Sequence, residues 1–116
     1  MKRLIFSLLA LAFLSQPALA STCNVNEFPL QINAGVQVAS VPPLVDQAPI
    51  TTSSTSAQSA TFGPNTGMVR VWCDTQSAVA FGANPTATTN NMPLSAGAAE
   101  YFDIVPGQKA AFILRP

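Results

Sequence analysis

The sequence predicts an all-β fold, a small antiparallel β-sandwich or barrel behind a cleavable signal peptide. Three observations carry this. From Ser21 onward no stretch shows sustained helical periodicity with caps, whereas apolar residues recur with period two in several short runs. Ten prolines and six glycines punctuate the 116 residues, which suits short strands joined by turns. Residues 1–20, finally, differ in kind from all that follows.

Lys2 and Arg3 give a positive start, Leu4 to Leu14 is apolar except for Ser7, and Pro17-Ala18-Leu19-Ala20 offers small residues at both positions a signal peptidase reads. The apolar run is well short of the roughly 20 residues a membrane-spanning helix needs. An uncleaved anchor is the competing reading, which Pro17 and the Ala-x-Ala site oppose. Lipidation at Cys23 is another, but Ala20-Ser21-Thr22 lacks the expected Leu and the small residue beside the Cys. Cleavage after Ala20 leaves residues 21–116, enough for a single small β-domain with no stable membrane span. The expected address is the periplasm or the exterior.

The elements follow in order. Phe28, Leu30 and Ile32 alternate with Pro29, Gln31 and Asn33, and Gly35 to Val41 alternates again, so both read as strands until Pro42-Pro43 stops the second. Residues 51–57 are rich in Thr and Ser and are expected to be mobile, leading into a solvent-facing strand over Gln58 to Phe62. Gly63-Pro64-Asn65-Thr66-Gly67 is a turn by composition. The clearest strand comes next, with Val69, Val71 and Cys73 on one face and Met68, Arg70, Trp72 and Asp74 on the other. The first set suits a core. Met68 and Trp72 beside Arg70 suggest a second face that is also covered, by another subunit, which makes Met68, Arg70 and Trp72 the candidate interface. Val79 to Phe81 is a short apolar run ended by Gly82, and Asn84 to Pro93 is a long polar loop. Tyr101 to Val105 and Ala110 to Leu114, joined by Pro106-Gly107-Gln108, read as a hairpin.

After residue 20 the charges are Arg70, Lys109 and Arg115 against Glu27, Asp46, Asp74, Glu100 and Asp103. There is no basic patch for nucleic acid and no polybasic stretch for anionic lipid. So sparse a charge fits a protein that packs into an assembly or works outside the cell. Cys23 and Cys73 are the only cysteines, and an oxidising compartment lets them pair. That bridge would tie the start of the exported chain to a central strand. The alternative is two thiols, with Cys73 a small buried apolar residue.

The chain holds no histidine, which removes the commonest general base and metal ligand together. No Ser-His-Asp or Cys-His arrangement can be built. Two cysteines fifty positions apart, without His, make no zinc site, and no phosphate loop or dinucleotide fingerprint appears. No catalytic residue, metal or cofactor is expected. A carboxylate pair from Glu100, Asp103 and Asp74 for glycoside hydrolysis, or a calcium site at Asp74 or Asp103, is outweighed by the ordinary role of solvated carboxylates at strand ends. Trp72 and Tyr101 could line a sugar platform, although core packing is the commoner use of such residues.

A run of short patterns in the second half carries a resemblance: Gln58-Ser59-Ala60-Thr61-Phe62, Val69-Arg70-Val71, Ala80-Phe81-Gly82-Ala83-Asn84-Pro85-Thr86-Ala87-Thr88, Glu100-Tyr101-Phe102 and Pro106-Gly107-Gln108-Lys109-Ala110-Ala111. Their order and spacing, over roughly Val41 to Ile113, resemble a group of small tailed-phage and prophage proteins often encoded among virion-structure genes. The resemblance implies a non-enzymatic, virion-associated β-domain, a capsid decoration or head-surface protein, that self-associates and binds a capsid or other virion protein. The signal peptide departs from that pattern, since capsid proteins assemble without export. An exported binding module, adhesin-like or carbohydrate-binding, is therefore the alternative expectation.

Overall fold

The computed structural model describes residues 21–116 apart from residues 31 and 34. The proposed signal peptide, residues 1–20, lies outside the described residues. The domain consists of two antiparallel sheets packed face to face, as the sequence led one to expect of a small β-sandwich.

The larger sheet is built on β1 (Ser21–Pro29) and β7 (Thr66–Cys73), which run antiparallel from Cys23↔Cys73 to Phe28↔Met68. On its other side β1 pairs with β5 (Ile50–Thr52) along Ser21 to Cys23, and with β4 (Val45–Asp46) along Asn26 and Glu27. β10 (Ala99–Asp103) completes the sheet on the free side of β7. A short hairpin of β2 (Ile32–Asn33) and β3 (Val36–Gln37) stands apart from both sheets. The smaller sheet has the order β6 (Ala57–Gln58), β11 (Lys109–Leu114), β8 (Ser77–Gly82) and β9 (Met92–Leu94).

The core lies where the two inner faces meet. Cys23, Val25, Ile50, Val69, Val71 and Cys73 of the larger sheet are buried against Val79, Leu94, Ala110 and Phe112 of the smaller one, with Phe62 between strands. The alternation read from the sequence of β7 therefore holds on its inner side. Phe81 bridges the layers, its ring 6.4 Å from that of Phe62 and 5.0 Å from that of Phe102, both within the range for favourable tilted aromatic pairs.

Several expectations change. The strand expected to begin at Phe28 begins at Ser21, because Cys23 and Val25 alternate inward ahead of it. Ile50 to Thr52 and Ala57–Gln58 are strands within the Ser/Thr-rich region, and the strand expected over Gln58 to Phe62 is confined to β6. Phe62 is a core residue. The hairpin expected from Tyr101 to Leu114 does not form. β10 pairs with β7 in the larger sheet and β11 with β8 and β6 in the smaller. The Pro106-Gly107 turn, with Gly107 at φ 83°, carries the chain around the edge of the sandwich. Two strands joined by a tight turn can pair, or can part to opposite layers and bury both inner faces. Phe102 and Phe112 take the second course, facing the same core from opposite sides.

The loop from Asn84 to Pro93 is also less exposed than its polarity suggests. Pro85 and Ala87 are buried. Gln58 Nε2 donates to Asn84 Oδ1 and to the Pro85 carbonyl, both at 2.8 Å, and the Ala87 amide donates to Ser56 Oγ at 2.8 Å. These bonds fold the loop back over the outer face of the smaller sheet, where Ala111, Ala80 and Gln58 stand in one row. Ala78 and Ala111 are fully buried on that outer side. Small side chains there let the loop approach closely.

Candidate functional site

The outer face of the larger sheet is different. Register places Tyr101, Arg70, Asn26 and Asp46 in one cross-strand row, and Ala99, Trp72 and Asn24 in the next. Cross-strand partners share a face because their side chains leave the pleat on the same side. Asn26 Nδ2 donates to Asp46 Oδ1 at 2.6 Å, and Arg70 reaches Asn26 Oδ1 at 3.4 Å. This polar row lies flat along the sheet and ends at Tyr101, which is 54% exposed. Arg70 and Trp72 are half-buried.

Met68 belongs to the third row, Asp103–Met68–Phe28. It shares the face of Arg70 and Trp72, as its sequence position required, yet is only 4% exposed. The chain itself provides the cover. Val38 and Ala39 stand beside Met68, Tyr101 and Asp103 around an open groove of about 510 Å³ whose wall includes Phe102. From there the chain reaches Leu44, whose amide donates to the Glu27 carbonyl at 2.8 Å. It must therefore cross above the Met68–Phe28 row. Of the candidate interface residues, Arg70 and Trp72 remain on the open part of the face, and Met68 forms the floor of a groove at its rim. Val38, Leu30 and Val105 add exposed apolar surface.

The carboxylates considered for chemistry do not come together. Asp103 is opposite Met68 at one end of β7, while Asp74 follows Cys73 at the other. Asp74 Oδ1 accepts from the Thr22 amide at 3.0 Å and from Thr75 Oγ1 at 3.1 Å, holding the ends of β1 and β7 together. Glu100 is opposite Val71 and so stands on the other face of the sheet from Asp103. Among the described residues there is no group of three or more His, Cys, Asp or Glu side chains placed to hold a metal ion.

Sequence reasoning missed Glu27. In the sequence it reads only as a charge, yet it is 2% exposed and lies on the inward row with Val69. Its Oε1 accepts from Thr66 Oγ1 at 2.7 Å and from the Gly63 amide at 2.8 Å, and its Oε2 accepts from Gln47 Nε2 at 3.1 Å. Gln47 Oε1 in turn accepts from the Ala60 amide at 3.0 Å. One carboxylate thus ties the segment after β4 and the turn leading into β7 to β1. Neutral donors satisfy a buried anion at the sites where it would otherwise be unpaired. The alternation of β1 held the signal, since position 27 shares the parity of Cys23 and Val25.

Cys23 and Cys73 form a disulfide, and no helix among the described residues is long and apolar enough to cross a membrane. No family model, no curated protein and no solved structure matches this chain.

Proposed function

We propose that this chain is a non-enzymatic structural or interaction protein that associates with protein subunits, copies of itself among them, through the outer face of its larger sheet. The observation that carries the reading is the asymmetry of the two outer faces. One is closed by the chain's own loop over alanines. The other presents Trp72, Arg70 and Tyr101 without such a cover, and aromatic residues with Arg are the types enriched at the centres of protein interfaces. The resemblance of residues 41–113 to phage and prophage proteins supports a virion partner, a capsid or head-surface lattice in which symmetric subunits bury such faces. That part of the reading rests on sequence patterns alone.

A second reading has its own support. The disulfide fits an oxidising compartment, and so favours an exported binding module of the periplasm or exterior, with Trp72 and Tyr101 meeting a partner or a glycan. Peptide mass spectrometry on purified phage particles, beside the periplasmic fraction and medium, separates the two. Abundant chain in the particles supports the virion reading. A chain starting at Ser21, confined to the periplasm or medium, contradicts it and leaves the exported module.

A further inference from the structure

The larger sheet ends in β10, which pairs on one side only among the described residues. β10 is a five-residue edge strand without proline. The other edges are blunted: β4 and β6 have two residues each, β5 has three, and β9 has three with Pro93 among them. Short strands and proline are the usual protection of a sheet edge against pairing.

The outward groups of β10 can be named. The Ile104 amide donates to the Gly67 carbonyl at 3.1 Å. Hydrogen-bonded pairs alternate along an antiparallel ladder, so Phe102 and Glu100 also turn their backbone groups towards β7. Ala99, Tyr101 and Asp103 then direct their N–H and C=O groups away from the sheet. Among the described residues β10 pairs only with β7. The groove of about 510 Å³ between Val38, Met68, Tyr101 and Asp103 lies along this same edge on the outer face.

Charge selects the occupant. Glu100 and Asp103 are the two charged residues of β10, one on each face, and no side-chain partner neutralises either among the described residues. A second copy of β10 would bring two more carboxylates and no cation. We infer that β10 accepts an extended basic and apolar segment of another protein as an added antiparallel strand, with main-chain bonds to Ala99, Tyr101 and Asp103. This is recognition by strand addition, in which backbone bonds give affinity and alternate side chains give specificity. A Lys or Arg opposite Asp103 lies on the groove side, an apolar residue opposite Phe102 faces the core rim, and a second Lys or Arg meets Glu100. The inference rests on the reading of the chain as an interaction protein and names the chemistry of one partner.

Two capped peptides test it on the full oxidised chain: Thr-Lys-Val-Thr-Lys-Thr, and the same peptide with Glu in place of Lys. Fluorescence anisotropy should show the basic peptide binding at least roughly fivefold more tightly, the size expected of favourable against unfavourable cross-strand charge. Amide exchange by NMR should then slow at Ala99, Tyr101 and Asp103, leaving Glu100, Phe102 and Ile104 already protected. The Tyr101→Pro variant, which removes an outward N–H that an edge strand can spare, should lose the binding. Asp103→Lys, which leaves Glu100 in place, should abolish the charge preference, and Glu100→Lys with Asp103→Lys should reverse it. Binding of neither peptide, equal binding of both, or binding without the alternating protection would each overturn the inference. Chain found in particles but blind to the basic peptide would keep the interaction reading and reject this one. Chain that binds the peptide but neither self-associates nor enters particles would do the reverse.

Discussion

Cys23 and Cys73 face each other directly across β1 and β7, their Cα atoms 4.1 Å apart, and join strands whose residues are 50 apart in sequence. The short Cα separation marks a position where side chains of an antiparallel pair come closest. Beside it, the Thr22 amide and carbonyl engage Asp74. The start of the described chain is therefore fixed to the centre of the sheet.

Because the closed loop is long, the bridge restricts the unfolded chain more than the folded one. The chain-entropy relation gives a stabilisation of about 4 kcal/mol. The paired variant Cys23→Ser, Cys73→Ser should lose most of this in chemical denaturation, with the larger sheet retained at low denaturant. Equal midpoints for the oxidised and serine forms would show that the bridge adds nothing.

Glu27 is predicted to matter more than any other carboxylate. Glu27→Ala leaves the Gly63 amide, the Thr66 hydroxyl and the Gln47 amide group without their acceptor, and should destabilise by about 3 kcal/mol. Glu27→Gln keeps the shape and one acceptor oxygen, and should lose about 1–2 kcal/mol. Urea titration monitored by Trp72 fluorescence measures both. Changes as small as those from the exposed Asp46→Asn would contradict the role assigned to this buried anion.

Gly67 occupies the bulge where the β1–β7 register shifts between Phe28 and Pro29. A Cβ there would lie 2.4 Å from Leu30 Cβ and 2.8 Å from Leu30 Cα and N. Main chain would have to move, so Gly67→Ala should destabilise by about 2–3 kcal/mol. Gly63→Ala is the contrast, meeting Thr66 Oγ1 only at 3.5 Å, and should fall within about 1 kcal/mol of wild type in the same thermal or urea assay.

Phe112 is fully buried on the inner face of the smaller sheet, and Tyr101 is 54% exposed on the outer face of the larger. Phe112→Ala should cost about 3–5 kcal/mol. Tyr101→Ala should change stability by roughly 0.5 kcal/mol or less while weakening association. A Tyr101 variant as unstable as the Phe112 variant would mean that this ring serves the fold.

Much of the fold was legible where burial is one-sided. β7 declared itself because Val69, Val71 and Cys73 alternate with Arg70, Trp72 and Asp74, and an alternating strand can have only one inner face. The hairpin expected from Tyr101 to Leu114 is absent because turn chemistry specifies a reversal of direction and not the layer to which the next strand goes. That choice goes with burial: Phe112 is buried in the core from the smaller sheet, and Phe102 packs on Phe81 from the larger. The quiet outer face of the smaller sheet was invisible for a related reason: alanines at 78, 80 and 111 look neutral until the loop carrying Pro85 and Ala87 is seen to close over them. Of the candidate interface, Arg70 and Trp72 were placed by parity alone. The burial of Met68 had no local signal, since Val38 and Ala39, which line the groove beside it, lie far away in sequence. Glu27 carries conflicting signals, since charge argues for the surface while position argues for the interior, and three neutral donors from two separate segments resolve the conflict.

The most direct test of the central claim is the mass of the oxidised chain in solution, by light scattering coupled to size-exclusion chromatography. It should be run beside the double variant Arg70→Glu, Trp72→Ser. The account expects an oligomer of defined stoichiometry for the native chain and a monomer with an unchanged far-ultraviolet spectrum for the variant. A native chain that stays monomeric across the concentration range, or an oligomer that the double variant leaves intact, would contradict association through this face.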